Sequence, residues 1–179
     1  IGYLVLGLSF ATQAGLTAGI VHLFNHALMK SGLFLVVGCI ATRQAGLTLE
    51  SIRGLGRRMP LTMAAFVVGG LGLIGVPLTS GFISKWLLVS AALEDGHWLV
   101  AVLVVVGSLL AVVYVWRVVE AAYFQEPDDE TTTEPREAPA GLLAAAWILL
   151  GATLVFGIYT DLPVAVARDA AASLLGSGP

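Results

Sequence analysis

Charge is what this sequence lacks most. Charged residues make up 12% of the chain, against about 25% in an ordinary soluble domain. With 58% hydrophobic residues and a mean hydropathy of +0.91, it reads as an integral membrane protein. Cysteine is nearly absent too: the lone Cys39 excludes an internal disulfide and, inside an apolar run, reads as a small packed hydrophobe. No basic face survives once the arginine loop described below lies against a membrane, which argues against a nucleic-acid partner. No basic stretch precedes the first apolar segment, so that segment does not read as a signal peptide. Gly69, Gly70 and Gly72 follow no strand and precede no suitably spaced basic residue, so they read as helix-packing surfaces rather than a phosphate loop.

What is present is a series of long apolar runs. Ile1 to Ala11 is too short to cross a core that needs about 20 apolar residues, and is expected to be the second half of a transmembrane helix. A first whole span is expected from about Leu16 to Ala41, roughly 39 Å of helix. The loop from Thr42 to Met59 carries Arg43, Arg53, Arg57 and Arg58 against only Glu50, which places it on the cytoplasmic side. The formal net charge of −3 hides this loop, because seven acidic residues lie between Arg117 and Pro139.

From Pro60 to Leu93 the chain is largely apolar for 34 residues, about 51 Å as one straight helix and too long for a single unbroken crossing. One crossing made of two half-helices, joined near Gly75 to Gly81, fits best. Pro60 suits a first helical turn, Pro77 removes a helical hydrogen bond, and Gly75 and Gly81 let the backbone leave helical geometry. A polar turn, Glu94 to His97, leads into a span from Trp98 to about Tyr123. Residues 125–139 are acidic and Pro-bounded and read as an extended, solvated cytoplasmic linker. Ala140 to Tyr159 is the last span, and Asp161 to Pro179 is either a short interfacial helix or a frayed end.

Two groups of residues could carry chemistry. His22, His26 and Lys30 recur every four residues in mid-span and so share one helix face over roughly 12 Å, with Asn25 beside them. Histidine both donates and accepts a proton near neutral pH, which suits a relay. The plainer reading is that the imidazoles bond neighbouring helices and Lys30 reaches towards water. His22 and His26 also have the spacing of a zinc pair. Leu23 stands where a metalloprotease needs its glutamate, and no Asp or Glu occurs in the span, so no metal site is expected.

The second group is Lys85, beside the break and near Thr79, Ser80 and Ser84. An amine at this depth costs roughly 2.5–3.5 kcal/mol to insert, and a chain that keeps one has a partner or a use for it. Burial disfavours the charged form of an amine, which lets it carry protons near neutral pH. A broken helix also frees backbone groups that can hold water beside it. The alternative is that Lys85 merely reaches the interface, although about 12 Å of mostly apolar helix separates it from Glu94.

Taken together, His22-Leu-Phe-Asn-His-Ala-Leu-Met-Lys30, Gly54-Leu-Gly-Arg-Arg-Met-Pro60 and Gly75-Val-Pro-Leu-Thr-Ser-Gly-Phe-Ile-Ser-Lys85 resemble the antiporter-like subunits of respiratory complex I, membrane-bound hydrogenases and Mrp-type cation/proton antiporters. The likeness is strongest to the Mrp D-type subunit and covers residues 1 to about 125. It implies an all-α transmembrane bundle with one discontinuous helix, the C-terminal part of a fourteen-helix subunit built from inverted repeats. It also implies a lateral path of lysines, histidines and water, with Lys85 as the terminal group and His26 as the relay; His22 and Lys30 fit the local motif. The glutamate and lysine that pair in the first repeat have no counterpart in this chain.

The expected division is therefore residues 1–124 as the conducting membrane part, 125–139 as the linker, and 140–179 as the last span and tail. The expected function is proton translocation in a multisubunit monovalent cation/proton antiporter of a bacterial or archaeal cytoplasmic membrane. It would have no catalytic residue or cofactor of its own. Other membrane subunits, the bilayer and protons are the expected partners, with sodium or potassium left open. Two alternatives are a proton-pumping subunit of an NADH:quinone oxidoreductase or membrane-bound hydrogenase, and a structural subunit whose polar groups only lock helices together. A self-contained secondary transporter is a third.

Overall fold

Backbone hydrogen bonding must be satisfied within the chain at membrane depth, so the long apolar runs are confined to helices. The computed structural model describes residues 1–44, 46–126 and 137–176. All regular structure among them is helical: α1 Gly2–Ser9, α2 Gln13–Ala41, α3 Leu55–Arg58, α4 Pro60–Ile74, α5 Ser80–Glu94, α6 Trp98–Phe124, α7 Ala140–Ile158 and α8 Asp161–Leu174. Three of these, α2, α6 and α7, are long and apolar enough to cross a membrane. The 15-residue helices α4 and α5 supply about 22 Å each and need one another to do so.

At the centre lies α2, which packs on α1, α4, α5, α7 and α8. Thr12 fixes its start, its hydroxyl accepting the Gly15 N–H at 3.1 Å. Towards the arginine loop the bundle closes on an apolar core of Val36, Cys39 and Ile40 from α2, Met63 from α4, Ala121 and Ala122 from α6, and Ala146 and Leu150 from α7. The α4 glycines bring the helices close. A Cβ on Gly69, Gly70 or Gly72 would meet Leu33, Val115 or Met29 at 2.6, 2.7 and 2.8 Å, nearer than such atoms pack.

Pro60 starts α4 in its first turn. The helix ends where Gly75 turns left-handed (φ 85°, ψ 48°), its N–H shared between the Leu71 and Gly72 carbonyls while Val76 N–H also returns to Leu71 at 3.1 Å. Pro77 follows, and Leu78 is itself left-handed at φ 75°, which costs a leucine about 1–2 kcal/mol. The neighbouring helix holds this turn in place: a Cβ on Gly157 of α7 would strike the Leu78 carbonyl. Thr79 then caps α5, its hydroxyl accepting the Phe82 N–H at 3.4 Å.

The end of the linker is not solvated as its composition suggests. Glu137 accepts the Leu61 N–H at 2.6 Å and the Thr62 hydroxyl at 2.7 Å, and its carbonyl accepts Arg43 Nε–H at 3.1 Å. The reason lies in α4, whose first turn has unpaired N–H groups, no cap from the side chain before it, and the positive end of its dipole. Residues 127–136 of the linker lie outside the described residues. Of the two readings of the tail, the helical one holds over α8, which packs against α2. Residues 140–176 are thus built into the same bundle as the rest.

Candidate functional site

The break in the α4–α5 crossing leaves α4 with carbonyls that no later turn can use. Lys85, the sixth residue of α5, folds back onto them: its Nζ donates to the Leu73 carbonyl at 2.6 Å and to the Ile74 carbonyl at 3.0 Å. The amine therefore caps the C-terminal, negative end of the half-helix, where a cation is favoured. Two glycines make the approach possible. A Cβ on Gly75 would stand 3.0 Å from Lys85 Cδ, and one on Gly81 would overlap the Gly72 carbonyl. Gly75 and Pro77 thus lie in the turn, while Gly81 lies just inside α5, where its backbone touches the end of α4.

Across the seam, α2 presents its polar face to α5. The Nδ1 atom of His22 lies 3.0 Å from Ser84 Oγ, and that hydroxyl is 3.2 Å from the Gly81 carbonyl. When Ser84 donates to Gly81, His22 must donate from Nδ1, leaving Nε2 as the atom able to accept a proton. One turn on, the Asn25 amide donates to the Ser80 carbonyl at 2.8 Å. Both His22 and Asn25 are buried, at 3% and 1% exposure. His26 stacks on His22 with ring centroids 5.5 Å apart, and is half-buried.

His22, His26 and Lys85 share one cavity of about 480 Å³, lined also by Tyr3, Lys30 and Tyr114 among others. It is large enough to hold several water molecules, with the polar atoms of these side chains set in a mostly apolar wall. His26 and Lys85 face the same space without touching, so any proton passing between them needs such water. Lys30 is the outlier of the sequence motif. It is exposed, and its amine lies 5.7 Å from the ring centroid of Phe34, one turn nearer the arginine loop.

Sequence reasoning found the ionisable groups and missed what surrounds them. The carbonyls of Leu73 and Ile74 carry no side-chain signature. Tyr3 and Tyr114 are ordinary aromatics in apolar runs, although Tyr3 stands inside the stretch that resembles the family. Ser84 was visible as a neighbour of Lys85, but its bond to His22 spans 62 residues.

The model of the family described as NADH:quinone oxidoreductase/Mrp antiporter, TM, matches residues 1–111. NADH-quinone oxidoreductase subunit N of Desulforudis audaxviator is 36% identical over 172 residues, covering 90% of this chain and 34% of that protein. The chain thus spans about a third of the length of that curated relative. A chain in the structure of the Mrp complex from a Dietzia species superimposes with a TM-score of 0.89 at 27% identity, covering 97% of this chain and 40% of that one. One in the membrane-bound sulfane sulfur reductase, an archaeal respiratory membrane complex, does so with a TM-score of 0.81 at 32% identity, covering 88% and 26%.

Proposed function

The chain belongs to the NADH:quinone oxidoreductase/Mrp antiporter transmembrane family, and from that premise we propose that it forms the proton-conducting end of an antiporter-like membrane subunit working among other membrane subunits. The observation that carries this reading is the Lys85 amine held on the open carbonyls of a half-helix, with His22 and His26 lining the same cavity. A proton reaching His26 passes by cavity water to Lys85, with the Nε2 atom of His22 as a stop along that water. Lys85 releases it when the end of α4 shifts and the two carbonyl bonds loosen. In this mechanism the break is the moving part, because its geometry decides how strongly the ammonium form is held. Residues 1–124 carry the path, and 140–176 supply the last span and tail helix that brace it.

For the host complex, two readings each have support. Structural likeness to a chain of the Mrp complex favours a monovalent cation/proton antiporter. Sequence identity to an NADH-quinone oxidoreductase subunit favours a redox-driven pump. Adjacent reading frames decide between them, since small antiporter subunits or iron–sulfur subunits should lie beside this one.

Proton flux through the full-length subunit, assembled in its complex and reconstituted in vesicles, tests the path itself. Lys85→Ala is expected to lower coupled flux by about 100-fold, the scale of a lost proton-transfer group, and His26→Ala to lower it less. Unchanged flux in Lys85→Ala would remove Lys85 from the mechanism. Unchanged flux in both variants would favour a purely structural subunit.

A further inference from the structure

Tyr3 stands among the relay groups without a role in the path described above. Its ring meets the His22 ring at 87° with centroids 5.2 Å apart, and the Lys85 Nζ lies over it at 5.8 Å from the centroid. Its hydroxyl donates to the Val104 carbonyl of α6 at 3.2 Å. Gly107, one turn further along α6, leaves the notch into which that hydroxyl fits, and a Cβ there would strike the Tyr3 oxygen. One side chain therefore ties α1 to α6 and touches both the lysine of α5 and the histidine of α2.

The geometry of the amine says what this contact does. An ammonium has three N–H donors. Two are spent on Leu73 and Ile74, and the electron-rich face of Tyr3 lies within the range at which a ring attracts a cation. We propose that Tyr3 is a positioning residue of the proton path, its ring face holding the Lys85 ammonium against the end of α4 beside His22 while its hydroxyl fixes the ring on α6. The inference rests on the proton-path reading, and it makes the ring's charge distribution, rather than its bulk, the property that matters.

Replacing position 3 in the full-length subunit, assembled in its complex and reconstituted in vesicles, separates charge from bulk. Tyr3→Phe keeps the ring and loses the anchor, and should retain at least about half the flux. Tyr3→Leu fills similar apolar space without a ring face, and should lose about three- to thirtyfold, the range of a cation–ring contact. Phenylalanines with one, two and three ring fluorines at this position withdraw the negative face stepwise with little change of shape. They should lower flux in the same graded order with assembly unchanged, and they decide the matter if Tyr3→Leu fails to assemble. Flux that is flat across the fluorinated series would overturn the inference. Lys85→Ala, measured alongside, keeps the two readings apart. If it abolishes flux while the fluorinated series is flat, only the role of Tyr3 falls; if it leaves flux unchanged, the path falls and the role of Tyr3 with it.

Discussion

Helix α2 and the α4–α5 pair traverse the same bundle by opposite means. The 29 residues of α2 form one unbroken helix, so at mid-helix its backbone groups are paired with one another and its polar chemistry there comes from side chains, His22 and Asn25 above all. The α4–α5 pair stops after 15 residues, turns through Gly75 and Leu78, and begins again. That interruption frees the carbonyls of Leu73 and Ile74 and lets Lys85 bond them. The comparison teaches where a buried charge can be placed: an unbroken helix offers it neighbours, whereas a broken one offers it the helix end itself.

The break should be intolerant of bulk where its two halves touch, and the sharpest test is Gly81→Ala. The added methyl would overlap the Gly72 carbonyl, a backbone atom that cannot rotate aside. Forcing the halves apart should destabilise the full-length subunit by about 3 kcal/mol. Thermal unfolding in detergent reads this directly, and a melting temperature equal to the parent's would mean that the close approach of α4 and α5 is wrong.

Glycines in the two crossings should then respond with opposite sign. Gly75→Ala places a Cβ on a left-handed residue and 3.0 Å from Lys85 Cδ, costing about 1–2 kcal/mol. Gly38→Ala lies in ordinary α2 helix, where the nearest atom to the new Cβ is Leu142 Cδ2 at 3.9 Å. It should gain about 0.5–1 kcal/mol from helix propensity. Equal effects in the same unfolding assay would erase the distinction between the crossings.

How much of this was legible follows from where each signal sits in the chain. The 15-residue halves could be read because Pro60, Gly75 and Pro77 act on their own backbone, within a residue or two. The histidine face could be read because helical spacing is local as well. The partners of those residues could not. Which carbonyls Lys85 reaches depends on how α5 folds back past the turn, and Ser84 meets His22 only once α5 lies beside α2. Glu137 defeated compositional reading for the same reason. In an acidic stretch it looks solvated, and only the fold brings it to the open N–H groups of α4, 76 residues away. Gly157 is one small residue in an apolar span until α7 is seen against Leu78.

A finer contrast separates two serines one turn apart on α5. Ser84 is bonded to His22, so Ser84→Ala leaves a buried imidazole nitrogen unpaired and should cost about 1–2 kcal/mol. Ser80 is just as buried, but among the described residues its hydroxyl has no hydrogen-bond partner, and neither has the Asn25 side-chain oxygen. Removing a buried hydroxyl that no described residue bonds should be neutral, or stabilising by up to about 1 kcal/mol. The Asn25 bond to the Ser80 carbonyl survives the change, because it uses the backbone. Thermal unfolding of the two alanine variants therefore asks whether α2 grips the broken crossing through the side chain at position 84 and the backbone at position 80; a loss at Ser80→Ala matching that at Ser84→Ala would show that both hydroxyls hold the seam.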